Sequence, residues 1–132
     1  MANTSAYLET ALLNHVLRNV PMVSPSQIYL ALYLTEPTDY DSGTEVTGGS
    51  YVRQLIVFDP PAPGTGQSTV SSRDRIEFPI ATTPWGNILW YGIRNAPTGG
   101  NLLLSGPLMR ARDIQTGDQV VFTSGEINVS LI

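Results

Sequence analysis

The chain holds one histidine, His15, so any metal or acid–base site needing two imidazoles from one chain, such as a His-x-x-x-His zinc helix, is excluded. His15 falls on an apolar helical stripe, with no serine or aspartate set around it in a catalytic spacing. The chain also lacks a Gly-x-Ser-x-Gly elbow. A packed or interface histidine, whose titration would couple to assembly, fits better. With no cysteine there is no disulfide framework, thiolate metal site or sulfur nucleophile. The segment Asp39-Tyr40-Asp41-Ser42-Gly43-Thr44-Glu45 has the composition of an oxygen-donor calcium loop. Its glycine, however, stands fifth rather than sixth and the acid at the twelfth position is missing, so an exposed turn accounts for it. Gly64-Thr65-Gly66-Gln67-Ser68-Thr69 follows prolines, opens no helix and lacks the lysine of a phosphate-binding loop; it reads as a linker. Two acids of the eleven could cleave a glycoside if folding set them roughly 5–10 Å apart, in a cleft that raises one pKa. No spacing singles out such a pair. The expectation is a protein that is not an enzyme and uses no metal and no cofactor.

Composition narrows the partners. All seven basic residues are arginine, the formal net charge is −4, and charged residues make up 14% of 132, against roughly 25% in an ordinary soluble domain. An acidic chain without lysine lacks the basic footprint that phosphate neutralisation needs, which argues against nucleic acid. Apolar runs reach only about seven residues, short of the ~20 that span a bilayer, and the first residues lack a signal-peptide pattern. The expectation is one domain over residues 1–132, neither membrane-borne nor nucleic-acid-bound. Much of its surface should face other subunits.

The elements follow from periodicity. Residues 4–19 read as the one helix: Thr4 or Ser5 caps it, Glu9 and Arg18 sit at the favourable dipole ends, and Leu8, Ala11, Leu12, His15 and Val16 share a face. From about 26 to 132 the period is two. Ile28, Leu30, Leu32 and Leu34 alternate with Tyr29, Ala31 and Tyr33, apolar on both sides as in a strand covered on both faces. Further strands are expected at 51–58, 68–72, 75–80 (Ile76, Phe78 and Ile80 inward), 87–94, 101–105, 107–112, 119–123 and 126–132. Turn residues such as Thr83-Pro84 and Gly106-Pro107 separate them, and Asp59 to Gly66 forms a connector. The fold class is mainly β: an antiparallel β-sandwich or barrel preceded by one N-terminal α-helix.

Aromatic and arginine side chains dominate protein interfaces, where lysine is depleted. Trp90 and Tyr91 are neighbours on a strand, so one of them faces away from the core. The candidate contact residues are Tyr7, Leu8 and Leu12 on the helix, Tyr40 and Tyr51, Trp90, and Arg53, Arg94, Arg110 and Arg112. Arginine can grip a carboxylate with two prongs where lysine cannot.

The order of motifs is also informative. Tyr29-Leu30-Ala31-Leu32-Tyr33 runs to Glu36-Pro37-Thr38, and Gly43-Thr44-Glu45-Val46-Thr47-Gly48-Gly49-Ser50-Tyr51-Val52-Arg53-Gln54 follows. Then come Ile76-Glu77-Phe78-Pro79-Ile80-Ala81 before Trp85-Gly86, Thr98-Gly99-Gly100-Asn101-Leu102-Leu103 before Gly106-Pro107-Leu108, and Gly117-Asp118 through Phe122 to Leu131. Over residues 5–132 this resembles a family of small structural proteins of tailed bacteriophages, often labelled phage tail fibre protein. Position 52 carries valine where that pattern has alanine, and the loop 59–66 is longer. The resemblance implies a non-enzymatic virion subunit of the tail fibre or baseplate type, assembled in the host bacterial cytoplasm. Its partners would be other copies of itself, a trimer among the options, and other virion proteins. Two alternatives stand beside it: a capsid decoration (cement) protein on the phage head, and a carbohydrate-binding module reading host surface glycan through an exposed Trp85 or Trp90.

Overall fold

The computed structural model of the protein describes residues 3–63 and 68–131. In chain order its elements are β1 (Asn3–Thr4), α1 (Ala6–Leu17), β2 (Ile28–Tyr33), β3 (Gln54–Ile56), β4 (Ala62–Pro63) and β5 (Ser68–Ser71). There follow β6 (Ile76–Glu77), β7 (Gly86–Arg94), β8 (Leu102–Ile114), β9 (Val121–Phe122) and β10 (Asn128–Leu131). The helix and the mainly antiparallel β body agree with the sequence reading; among the described residues the sheets do not close into a barrel.

The centre is a five-stranded antiparallel sheet in the order β1-β8-β7-β2-β3. Strand β2 shows why its sequence is apolar on both sides. Leu30 and Leu32 pair with Ile93 and Tyr91 and join the main core with Val46, Phe78, Trp85, Ile88 and Phe122. Ala31 and Tyr33 point to the other face and are buried as well. Ala31 pairs with Gly92, and a Cβ at Gly92 would lie 2.7 Å from Tyr33 Cε1, so only glycine lets the Tyr33 ring lie across the sheet. Over the core face lie the β6-β9 pair and the start of the β10-β5-β4 sheet, the source of Ile76, Phe122 and Ile127.

Helix α1 is capped as its sequence requires: Ser5 Oγ accepts from Leu8 N at 3.1 Å. Asn19 takes a left-handed φ of 56°, which ends the helix and returns the Val20 N–H to the Asn14 carbonyl. The chain before the helix is fastened at both ends, with Ser5 N donating to Leu103 O and Ala6 N to Asp39 O.

Four expectations need correction. The strands expected at 101–105 and 107–112 are one strand, β8, because Gly106 and Pro107 pair with Tyr91 and Trp90 of β7 instead of turning, and the β-bulge comes just after them. Ile80 is exposed; β6 ends at Glu77 before Pro79, and Ala81 turns inward in its place. His15 and Val16 do not face the core: from His15 to Pro21 every residue is exposed, and no residue of α1 is fully buried. Within the connector, Ala62–Pro63 pairs with β5, while Gly64 to Gln67, most of the proposed linker, lie outside the described residues.

Candidate assembly surface

Three of the four singled-out arginines hold the chain's own loops. Arg53 binds Glu45 with two prongs, Nε to Oε2 and Nη2 to Oε1, both at 2.8 Å. Its Nη1 donates to the carbonyls of Ala96 and Gly99. Arg94, 6% exposed, binds both oxygens of Asp41, and also donates to Tyr33 Oη and to the carbonyls of Gly99 and Gly100. These two side chains lace the 39–45 and 95–100 loops to one end of the sheet. Arg112 donates to Val121 O and Glu126 and lies 4.4 Å over the Phe122 ring. The carboxylates of the calcium-like segment are therefore engaged by guanidinium groups: Asp41 by Arg94, and Glu45 by Arg53.

The electrostatics follow from that pairing. Burial raises the Glu45 pKa, but hydrogen bonds from Arg53 and Tyr51 outweigh it and leave the carboxyl below its ordinary value. A general acid needs the opposite displacement. Tyr51 is pushed well above the usual tyrosine range by burial and by its hydrogen bond to Glu45. Burial opposes the charge on Arg94, yet Asp41 and the Tyr33 hydroxyl hold its pKa above the ordinary arginine value. Arg110 is exposed and has no acceptor among the described residues, unlike the other six arginines.

The aromatics divide as clearly. Tyr51 is internal: its hydroxyl donates to Glu45 Oε2 and accepts from Leu32 N, and its ring meets Trp85 edge-on and Phe78 stacked. Trp85 is buried and its Nε1 donates to Gly49 O at 2.9 Å, so it offers no platform for a sugar. Trp90 is half-buried beside Tyr33. Tyr40 stands 84% exposed on the loop that Arg94 anchors.

On the helix, Leu8 packs against the core and Leu12 is half-buried, while Tyr7 is exposed. The opposite side carries Val16, which the spacing had placed on the core face, together with residues that composition and spacing did not single out. Leu13, Val16 (70% exposed), Leu17 (73%) and Val20 follow the i, i+3, i+4, i+7 spacing, and Val23 beyond them is 91% exposed. A helix apolar on both sides signals burial on both sides; that second stripe was visible in the sequence. His15 lies beside it, its Nδ1 accepting from Met22 N at 3.3 Å.

No curated protein sequence matches the chain. The family model described as podophage GP4 fiber I protein gp80 matches residues 3–130.

Proposed function

The chain belongs to the podophage GP4 fiber I protein gp80 family, a phage fibre family whose members are virion components, and from that premise we propose that it is a non-enzymatic tail-fibre subunit that assembles through the outer face of α1. The observation that carries this reading is the uncovered stripe Leu13, Val16, Leu17, Val20 and Val23. These side chains stand 41–91% exposed in one contiguous run of the helix and the segment after it, the kind of apolar patch that marks a protein contact. Only 14% of the residues are charged, fewer than a freely soluble surface normally carries. A second copy of the same stripe is the occupant that matches it, since a two-fold interface buries the same surface of both copies. Other virion proteins then attach to the assembled form. The family's fibre name favours the tail over capsid decoration. Burial of Trp85 removes one of the two indoles on which the glycan-reading alternative rested, and Trp90 is half-buried.

Light scattering on the purified full chain tests this. The wild type is expected to be an oligomer and Leu13→Asp/Leu17→Asp a folded monomer. A monomeric wild type, or a variant of unchanged mass, sinks the reading.

A further inference from the structure

Strand β8 carries an irregularity along its pairing with β7. Between the pairs Ile88↔Arg112 and Trp90↔Pro107, strand β8 supplies four residues, Leu108 to Ala111, against the single Leu89 of β7. Bulges of this kind re-aim side chains. This one holds Met109 out at 95% exposure and points Arg110, without an acceptor among the described residues, to the same region. Beside it opens a groove of about 570 Å³, bounded by Leu108, Met109, Arg110, Phe122 and Ile127. Tyr91 also lines the groove and is 6% exposed. Burial alone raises its pKa, and its hydroxyl has no hydrogen-bond partner among the described residues. The hydroxyl oxygen therefore reaches the solvent of the groove, since every fully buried side-chain polar atom among the described residues has a partner. Apolar walls at Leu108, Met109, Phe122 and Ile127, with Glu126 already engaged by Arg112 and the Arg110 guanidinium free at the rim, call for an aromatic or apolar side chain next to a carboxylate.

The same chain displays such a pair. The 37–43 turn is rigid: Ser42 N donates to Pro37 O, Tyr40 N to Thr38 Oγ1, and Arg94 clamps Asp41. At its tip Tyr40 stands clear of the protein, with the exposed Asp39 beside it. Rigid presentation lowers the ordering cost of binding. We infer that the Tyr40 tip of one copy seats in the groove of the next, with the ring against Met109 and the Asp39 carboxylate on Arg110. The contact is head-to-tail, because knob and groove are different surfaces, and head-to-tail contacts build rings or linear arrays. It deepens the assembly reading and rests on it for the presence of several copies.

The chain has no cysteine, so two single-cysteine full-length chains, Ser42→Cys and Ala111→Cys, can be mixed and joined with a short bis-maleimide. The mixed 42–111 product is expected to exceed the statistical yield. It should fall several-fold when the Ala111→Cys chain also carries Arg110→Glu, and recover when the Ser42→Cys chain then carries Asp39→Arg. Tyr40→Ala should lower it without rescue. Statistical pairing, or indifference to the charge reversal, overturns the contact. In the monomeric Leu13→Asp/Leu17→Asp background the mixed product is expected to fall toward the statistical yield. Statistical pairing in a wild-type chain that light scattering shows to be oligomeric overturns the knob contact and leaves the helix interface standing, so the two fail separately.

Discussion

Arg94 grips Asp41 through two parallel bonds, Nη1 to Oδ1 at 2.7 Å and Nη2 to Oδ2 at 2.8 Å, and so fastens the end of β7 to the loop that displays Tyr40. Removing Asp41 leaves a buried guanidinium with only neutral acceptors. Breaking a fully buried pair costs ~3–5 kcal/mol; the Asp41 side chain is 36% exposed, so Asp41→Ala should cost about 2 kcal/mol. Urea denaturation measures it. Arg94→Lys should lose nearly as much, because an ammonium cannot hold Asp41, Tyr33 Oη and two carbonyls in one plane.

Glu45 makes stability depend on acid pH. Its folded pKa lies below the ordinary 4.5, so the carboxylate contributes its full stability above that value. The contribution is lost as pH falls from about 4.5 through the folded pKa. Denaturation curves from pH 7 to pH 3 should show this decline, and Glu45→Gln should flatten it while lowering stability at pH 7. An equally steep acid limb in the variant would place the acid sensitivity on other carboxylates.

Gly49 joins a turn to the core. Its φ is +59°, and a Cβ there would lie 2.7 Å from both Trp85 Nε1 and Thr83 Oγ1. Gly49→Ala therefore strains the backbone and dislodges the indole from its bond to the Gly49 carbonyl. The expected loss is ~1–3 kcal/mol, accompanied by a change in tryptophan emission; unchanged emission would mean the turn yields instead.

What the sequence could disclose depended on whether a residue's role was local. The helix start was readable because Ser5 caps the turn that follows it. The double burial of β2 was readable because both sets of alternating residues are apolar. Gly106-Pro107 misled because its two residues normally end strands, whereas here both stay paired with β7 and the strand bulges only beyond Pro107. The arginines misled for a different reason. Residue type suggested outward contacts, but Asp41 lies 53 positions from Arg94 and Glu45 lies 8 from Arg53. Only the folded sheet brings those loops over the guanidinium groups. Tyr7, Tyr40 and Arg110, chosen on the same grounds, are the ones that the fold leaves outside.

Adjacent leucines on α1 separate folding from association. Leu12 is half-buried toward the protein, while Leu13 is 59% exposed. Leu12→Ala removes packing within the chain and should cost ~1–2 kcal/mol, less than a fully buried leucine would. It should do so at every protein concentration. Leu13→Ala touches no core contact, so the dilute chain should keep its stability within ~0.5 kcal/mol. An oligomer, however, gains stability by mass action. The wild-type Tm should therefore climb with protein concentration, and the climb should shrink in Leu13→Ala and vanish in Leu13→Asp/Leu17→Asp. Calorimetry over a hundredfold range of concentration reads both effects, and a wild-type Tm independent of concentration would refute the helix interface.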